Sequence, residues 1–472
     1  MKKYIYFALL CLALMVGCNK NEAKDRVNDP TGKFMKISGR GLCQADGTEF
    51  TIKGVNLNHW LTPEAYCFGF SNMSVTEVDK AFRQIFGDEY MNGWWKRFLE
   101  NYIGDLDFVY LNSIAANTVR LPLTYRLFND SFYLCDNNPE AGFAYIDYVV
   151  KMCKEVGLYL ILDMHVAPGG QSGAAHIDDS DGYPRLFESQ ENMDEYCRIW
   201  RMIAERYAEE PIILGYELLN EPIDKKYEAL YHYLQPTYEK ATAAIREVDN
   251  NHIIILGGGN FCDDFSMLTN YAFDTKLMLT CHRYGSTDVT KFSDISIKTN
   301  LPMYMGEFGH WNGGSENNFQ VVSNMKSRGI GYTYWPYKKM DNWESLLGFT
   351  VPEDWSMIAE FVNSPRETIV QVQIALKKVD VEKATKAMEE YLENCKFRNC
   401  FERSGVKDGL QFKYSEHFIQ MTRMKPAESV KFRAPYQTPS CKILSVRTDG
   451  NMCQSNFMNI QDIEYDGEEL SC

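Results

Sequence analysis

The chain has 472 residues, of which 45% are hydrophobic and 14% aromatic, enough apolar material for one large domain with extensions. Its formal net charge of −15 argues against nucleic acid as a partner, because a duplex binder normally presents a basic face. Neutral or cationic ligands suit this charge better.

The N-terminal segment, residues 1–18, has the pattern of a lipoprotein-type signal peptide. A Lys-Lys pair precedes a nearly continuous apolar run from Tyr4 to Gly17, which is too short for a comfortable membrane span of ~20 residues. The run ends in Met-Val-Gly-Cys, which resembles a bacterial lipobox and implies cleavage before Cys18 and lipidation of that residue. An ordinary secretory signal that contains Cys18 is the alternative. The polar residues 19–34 then predict a flexible tether.

Eight strand-like runs lie between residues 34 and 337, and most are continuously apolar, as in parallel strands buried on both faces. They begin at Thr51, Asn117, Tyr159, Ile212, His252, Leu277, Leu301 and Ile330. Helical patterns separate them, with an N-terminal capping box at Ser74 and Glu77 and a C-terminal cap at Gly157. Eight alternations of strand and helix predict a (β/α)8 TIM barrel of the α/β class, and a doubly wound sheet is the alternative.

The segments on either side of the barrel carry weaker signals. Residues 33–50 precede the first barrel strand and could form a hairpin that closes the bottom of the barrel. We place the barrel at residues 35–365 and a C-terminal extension at residues 366–472. This extension is helical up to Cys395, with β-like stretches later. It either packs on the barrel, which we favour, or forms a small accessory module.

Catalytic groups of such barrels lie at the C-terminal ends of the strands. Reading those ends in chain order gives Arg120 on strand two, His165 on strand three, Asn220 and Glu221 on strand four, His282 and Tyr284 on strand six, Glu307 on strand seven and Trp335 on strand eight. Two glutamates at two strand ends are what glycoside hydrolysis requires.

Each of these residues alone has a structural interpretation. Either glutamate could be a helix cap or part of a surface ion pair, and Arg120 could pair with Asp163. The histidines could be hydrogen-bonded in the core, and Trp335 could be a core residue. No H-E-x-x-H spacing or C-x-x-C pair is present, so we expect no metal and no cofactor. Export would permit disulfides among the cysteines, but the sequence assigns no pairing.

The ordered combination of N-E-P, H-x-Y, G-E-F and a final Trp resembles glycoside hydrolase family 5, the cellulase family of clan A, over about residues 35–365. The resemblance implies that Glu221 is the acid/base and Glu307 the nucleophile. It further implies that Asn220 holds the sugar 2-hydroxyl, that Arg120 and Tyr284 flank the nucleophile, that His165 and His282 line the site, and that Trp335 stacks on the sugar.

Electrostatics supports this division of roles. A cationic Arg120 and the Tyr284 hydroxyl would stabilise an ionised Glu307. Glu221 would face that negative charge, which would raise its pKa and keep it protonated. In a retaining enzyme the two carboxyls stand ~5–5.5 Å apart.

Aromatic residues and two local motifs suggest the substrate. Trp60 follows the first strand, and further aromatic residues lie in loops on the same face, where about half are expected to contact no sugar: Tyr66, Phe68, Trp311, Tyr337 and Trp343. The motifs GVNLNHW and HVAPGGQSG resemble those of exo-β-1,3-glucanase members. Asn58-His59 replaces Gly-Gly, and Gly170 and Ser172 replace Ser and Asn, so the linkage stays open.

The sequence therefore predicts an exported, lipid-anchored retaining β-glycosidase, at the cell surface or in the periplasm, acting on a β-glucan or its oligosaccharides. We expect a monomer. A β-glycosidase for mannan or glycoconjugates is one alternative. A lipoprotein that binds glycans without cutting them, and a structural or adhesin lipoprotein whose function lies in residues 366–472, are two others.

Overall fold

The computed structural model describes residues 33–129, 138, 140–309, 314–340 and 344–415, together with three short strands at 431–432, 443–446 and 463–466. Cys18, the signal segment and most of the tether lie outside the described residues. Phe34, assigned above to the tether, is 4% exposed, and its ring packs against His252 with centroids 5.2 Å apart. The packed domain therefore already includes residue 34.

Eight parallel strands close into a barrel, which confirms the predicted fold class. Around the barrel the strands follow chain order, and the last barrel strand pairs both with the strand before it and with the first. The barrel strands are β4 (Lys53–Asn56), β5 (Thr118–Thr124), β6 (Tyr159–Val166), β7 (Ile213–Glu217), β8 (Ile253–Gly257), β9 (Leu277–Tyr284), β10 (Met303–Gly309) and β11 (Gly331–Tyr334). All eight predicted runs form barrel strands, because their apolar side chains are buried both inside the barrel and under the helices.

Helices surround the strands. The α-helices are Val75–Phe86, Asp88–Tyr102, Asp105–Ser113, Ala141–Val156, Ala175–Asp178, Gln190–Tyr207, Leu234–Arg246, Gly259–Cys262, Thr290–Thr299, Gly314–Lys326, Trp355–Val362, Ile369–Leu376, Val381–Asn394 and Ser404–Gly409, and the 3-10 helices are Ala65–Phe68, Tyr125–Phe128, Arg185–Phe187, Lys225–Tyr233 and Phe397–Asn399. The Ser74 half of the predicted capping box is confirmed, because its side chain accepts from the Glu77 backbone N–H. The C-terminal cap is confirmed by Gly157, which has a left-handed φ of 79°.

A small antiparallel sheet closes the N-terminal end of the barrel. It consists of β1 (Lys36–Ser38), β2 (Gly41–Cys43) and β3 (Glu49–Phe50). Its buried side chains form one apolar cluster with inward-facing residues of the barrel: Met35, Leu42, Ile52, Ile161, Leu214, Ile253, Ile255, Met278 and Tyr304. The strands of the predicted hairpin are present, and a third strand joins them.

The C-terminal segment packs against the barrel as far as residue 415. Its strand β14 (Phe401–Glu402) pairs with β13 (Leu347–Phe349), which pairs with β12 (Lys338–Met340). Lys338 on β12 is fully buried, and its Nζ lies 2.7 Å from Asp107 Oδ1 and 3.3 Å from the Cys395 carbonyl oxygen. The stretch 410–414, predicted to be β-like, forms no strand.

Three further described strands, β15 (Lys431–Phe432), β16 (Ile443–Val446) and β17 (Ile463–Asp466), pair in an antiparallel sheet. Within the described part of the chain, no helix has the length and apolar character needed to cross a membrane.

Candidate active site

Glu307 lies on β10, beside a register shift between β10 and β9. Arg120 donates from Nη1 to Oε1 of Glu307 over 2.8 Å, and the Tyr284 hydroxyl donates to Oε2 over 2.8 Å. Gly306, the preceding residue, leaves space for the His282 side chain, since a Cβ there would lie 2.9 Å from Nε2 of His282. Both partners donate to the carboxyl and one of them carries a positive charge, so two hydrogen bonds, one of them charge-assisted, hold Glu307 in place.

Glu221 lies just beyond the end of β7, where its backbone has a left-handed φ of 45°. Nδ1 of His282 lies 2.9 Å from its Oε1. Burial raises the pKa of Glu221 to about 8, against partial opposition from Arg120 and with smaller contributions from Asp163 and Glu217. This carboxyl is therefore protonated at neutral pH.

The direction of this shift agrees with the sequence argument, but its main cause does not. We expected the charge of Glu307 to raise the pKa of Glu221, whereas loss of water around the carboxyl is the largest contribution. Glu221 is only 8% exposed, and a buried carboxyl favours its neutral form.

The two carboxyls meet at one point of the barrel mouth. One oxygen of Glu221, one nitrogen of His282 and one oxygen of Glu307 all lie within 4.8 Å of one another. Within the described ranges this trio is the group of acidic and histidine side chains close enough to hold a metal ion. Burial lowers the pKa of His282 to about 4, so its imidazole is neutral. The trio can therefore perform acid–base and nucleophilic chemistry on one bond, or hold a divalent cation.

Arg120 is the electrostatic centre of the site. Its guanidinium lies 3.1 Å from Asp163, 2.6 Å from Glu217 and 2.8 Å from Glu307, so one positive charge faces three carboxyls. Burial raises the pKa of Asp163 to about 7, although Arg120 opposes that shift. The structural interpretation of Arg120 as a partner of Asp163 and the functional one as a partner of Glu307 are thus both correct.

A flat aromatic wall stands beside the carboxyls. The rings of His165 and Trp335 stack with centroids 5.4 Å apart and an interplanar angle of 3°. Nδ1 of His165 lies 2.8 Å from Asp163, and burial lowers the pKa of this imidazole to about 4. Asn220 lies between this wall and Arg120, since its Oδ1 accepts from Arg120 over 2.9 Å and its Nδ2 lies 3.4 Å from His165.

The family model for Cellulase (glycosyl hydrolase family 5) matches residues 90–341, which is more than half of the chain. This chain belongs to glycosyl hydrolase family 5. The resemblance inferred from the N-E-P, H-x-Y and G-E-F motifs is confirmed.

Curated relatives and a solved structure resemble parts of this chain. The chain is 32% identical over 233 residues to a "Beta-xylosidase" of Phanerodontia chrysosporium, covering 49% of this chain and 48% of that one. It is 27% identical over 203 residues to a "Glucan 1,3-beta-glucosidase" of Candida oleophila, covering 40% and 46%. The crystal structure of a rutinosidase from Aspergillus niger matches with a TM-score of 0.48 and 19% identity, over 61% of this chain and 90% of that one. The chain spans about half the length of the curated relatives named here.

The family 5 barrel brings eight of the nine predicted site residues of the barrel together. They are Arg120, His165, Asn220, Glu221, His282, Tyr284, Glu307 and Trp335. The strands are parallel, so their C-terminal ends meet at one mouth. Arg120 does not end its strand as predicted, because β5 continues beyond it to Thr124.

Trp60 is the exception, and the structure corrects its predicted place. Its indole is 2% exposed, donates to the Leu99 carbonyl oxygen over 2.8 Å, and packs edge-on against Tyr145 and Tyr148. The preceding residue, His59, has a left-handed φ of 61°, which turns the chain so that Trp60 packs under the surrounding helices. It is a core residue.

Three of the other aromatic candidates lie in the described part of the chain. Phe68 and Tyr337 are fully buried core residues. Tyr66 belongs to the site, because its hydroxyl oxygen accepts from Trp335 Nε1 over 2.5 Å. Trp311 and Trp343 lie outside the described residues.

Sequence reasoning missed three site residues. Glu217 interrupts the apolar run of β7, which is a signal that could have been used. Glu64 follows the first barrel strand, and its carboxyl interacts with Tyr66, Glu307 and Glu221. Burial, followed by the charge of Glu307, raises its pKa well above the usual range. Its Oε2 is buried and has no hydrogen-bond partner among the described residues.

The third missed residue is Lys339 on β12. Its Nζ lies 4.4 Å from the centroid of the Tyr66 ring, and the side chain is 7% exposed. A cation on an aromatic face at this distance fixes both groups. Nothing in the sequence marks this lysine, since its place depends on how β12 packs.

Proposed function

We propose that this protein is a β-glycoside hydrolase that cleaves a β-glucan or its oligosaccharides with retention of anomeric configuration. One observation carries the proposal: an oxygen of Glu221 and an oxygen of Glu307, both buried, lie within 4.8 Å of each other, and burial raises the pKa of Glu221 while Arg120 and Tyr284 donate hydrogen bonds to Glu307. This spacing suits direct attack by one carboxylate, because an inverting enzyme needs ~6.5–9.5 Å to place a water between the two groups.

In the first step the Glu307 carboxylate attacks the anomeric carbon. The bond from that carbon to the glycosidic oxygen breaks, and Glu221 gives its proton to the departing oxygen. A covalent glycosyl ester on Glu307 results. In the second step Glu221, now ionised, takes a proton from water while the water oxygen attacks the same carbon. The ester bond breaks, Glu307 is regenerated, and two inversions give net retention.

The surrounding side chains have defined tasks in this reaction. Arg120 and Tyr284 donate to the two oxygens of Glu307 and aim its carboxyl. His282, which is neutral, holds the Glu221 carboxyl through Nδ1. Asn220 is held by Arg120 through Oδ1 and offers its amide Nδ2 to the hydroxyl next to the anomeric carbon.

The flat wall of His165 and Trp335 suits the apolar face of a pyranose ring. For the substrate we propose a β-glucan, because relatives named "Glucan 1,3-beta-glucosidase" and "Endoglucanase C" match this region. A β-xyloside is the second candidate, favoured by the 32% identity to the "Beta-xylosidase".

We further propose export and membrane attachment through a lipidated Cys18. The support is the Lys-Lys pair, the apolar run that follows it and the Gly-Cys step at residues 17 and 18. A Cys18→Ser chain should leave the membrane fraction, and continued sedimentation with membranes would contradict this attachment.

The experiment compares the full chain with its Glu307→Gln variant. Laminarin, lichenan, carboxymethylcellulose, mannan, xylan and aryl β-glycosides are incubated with each, and products are separated by chromatography. We expect sugar release by the unaltered chain and a loss of at least about 10³-fold in the variant, because the nucleophile is gone. Proton NMR of the first product checks retention.

Glu209→Gln is the matched control, since Glu209 is exposed and its ion pair among the described residues is with Lys33, at the far end of the barrel. A Glu307→Gln variant with full activity would refute the mechanism. Tight glycan binding without any product, even after long incubation, would favour a binding protein.

A further inference from the structure

His59 occupies a dry pocket at the boundary between the barrel and the C-terminal segment. It is fully buried, and its ring packs edge-on against Phe68, Phe98 and Tyr102 at centroid distances of 4.3, 5.6 and 5.2 Å. Family members that resemble this chain locally have glycine at this position in their G-V-N-L-G-G-W motif. A histidine in a dry pocket needs partners for both ring nitrogens, because a buried unpaired polar group is costly.

Both nitrogens have partners. The backbone N–H of Glu64 donates to Nδ1 over 3.0 Å, and Nε2 lies 3.1 Å from the Tyr391 hydroxyl. Burial, with the charge of Lys339, lowers the pKa of His59 well below its usual value, so the ring is neutral. Since an amide N–H can only donate, Nδ1 is the acceptor and the single ring proton lies on Nε2. His59 therefore donates to the hydroxyl oxygen of Tyr391.

The two ends of this chain of hydrogen bonds have different surroundings. Glu64 belongs to the site, where its carboxyl interacts with Tyr66 and Glu307. Tyr391 belongs to the helix Val381–Asn394, outside the barrel. The hydrogen bonds through His59 thus link Tyr391 of the C-terminal segment to Glu64, whose carboxyl lies beside the nucleophile.

The helix Val381–Asn394 is anchored by contacts other than the hydrogen bond between Tyr391 and His59. Trp94 donates to the Met388 carbonyl oxygen over 3.0 Å, and Arg97 binds the Glu389 carboxylate with both Nη atoms. The Tyr391 ring stacks on Trp355 with centroids 5.0 Å apart. Because these contacts fix the helix, the Tyr391 hydroxyl has a fixed position and can hold His59 in place.

We propose that Tyr391 and His59 are positioning residues, which hold the Glu64 segment in place and make the helix Val381–Asn394 a component of the active site. Neither residue contacts the reacting atoms, so both act through Glu64. This inference rests on the proposed glycosidase function, and it predicts that residues 381–394 support substrate use without contributing a group to the barrel mouth.

The kinetic test compares Tyr391→Phe with Tyr90→Phe in the full chain. Each variant loses one hydroxyl at this helix: Tyr391 belongs to the helix, and Tyr90 donates to its Glu389. Tyr90 lies outside the hydrogen bonds that connect Tyr391, His59 and Glu64. We expect Tyr391→Phe to lower kcat/KM about three- to tenfold, the value of one hydrogen bond, and Tyr90→Phe to leave it unchanged.

A double-mutant cycle separates positioning from general loss of structure. In a Glu64→Ala background the Tyr391→Phe change should alter kcat/KM less than about twofold, because the group it positions is absent. Equal effects of Tyr391→Phe in both backgrounds would overturn the proposal. His59→Asn keeps an acceptor near the Nδ1 position and suits a left-handed φ, so it should retain more activity than His59→Ala. The reverse order would also count against the proposal.

A second readout does not depend on turnover. Hydrogen exchange followed by mass spectrometry on residues 57–66 should speed up in Tyr391→Phe and stay unchanged in Tyr90→Phe. If the unaltered chain releases no sugar but this difference is seen, the proposed function fails and the positioning chain stands. If exchange is the same in both variants, the positioning chain is wrong whatever the activity.

Discussion

The two ends of the barrel are built from the same strands but hold opposite kinds of side chain. Strand β6 supplies Ile161 to the N-terminal end, and Asp163 and His165 to the C-terminal end. Strand β7 likewise supplies Leu214 and then Glu217. The N-terminal end is a closed apolar cluster under the sheet β1–β3, whereas the C-terminal end is a network of buried charges. One end provides stability from water-free packing, and the other holds groups whose charges are costly to bury.

Among changes that compare the two ends of the barrel, the largest effect is expected from removing the positive charge at the C-terminal end. Arg120→Met leaves Asp163, Glu217 and Glu307 without their shared cation. We expect turnover to fall by at least about 10²-fold and the free energy of unfolding to fall by roughly 3–5 kcal/mol, since uncompensated buried carboxylates remain. Turnover assays and urea unfolding measure the two losses. A stable variant with unchanged kinetics would show that the charge network has no catalytic role.

A smaller and graded effect is expected from pH. Because the pKa of Glu221 is raised to about 8, the proton needed by the leaving group is present at neutral pH. Activity should therefore fall up to tenfold per unit as pH rises above about 8. Folding stability changes with pH in the same direction as activity. Burial favours the neutral Glu221 carboxyl in the folded protein, so the contribution of this group to stability is complete below its unfolded pKa. That contribution is lost as pH rises through about 8.

The pH–rate profile of the first step, measured with good and poor leaving groups, checks this assignment. An aryl glycoside whose leaving group is an acidic phenol needs little proton donation from Glu221. With that substrate the fall in rate at alkaline pH should therefore be smaller. Burial also raises the pKa of Asp163, to about 7. The Glu221→Gln variant keeps Asp163, and loss of the limb in that variant assigns the limb to Glu221. An unchanged limb would assign it elsewhere.

The smallest effect on turnover is expected at the other end of the barrel. Leu214 is 1% exposed within the apolar cluster. Leu214→Ala should lower the free energy of unfolding by about 2–5 kcal/mol through the cavity it leaves, with kcat and KM unchanged below the unfolding temperature. Urea unfolding and initial rates test this. A change in KM comparable to that of Arg120→Met would mean that the two ends are coupled rather than separate.

Most of the barrel could be predicted from the sequence for a physical reason. A strand buried on both faces requires a continuous apolar run, and the polar residue that ends the run then marks the mouth. This logic found Arg120, Glu221 and Glu307 without any knowledge of their neighbours. It failed for Trp60, because a single left-handed residue after the strand reversed the direction of the side chain.

The remaining site residues could not be predicted because their roles depend on contacts distant in sequence. Glu64 matters through Tyr66 and Glu307, and Lys339 through the packing of β12. The contact between His59 and Tyr391 joins positions 332 residues apart. No local pattern encodes such a pair, so only the folded chain reveals it.

The left-handed backbone of Glu221 has an evolutionary consequence. A residue with a Cβ pays about 1–2 kcal/mol in this conformation, and glycine would not. The chain thus retains at the centre of its site a residue that is worse for folding than the simplest replacement. Natural selection for stability alone would move this position away from glutamate, so its persistence depends on continued selection for what the carboxyl does.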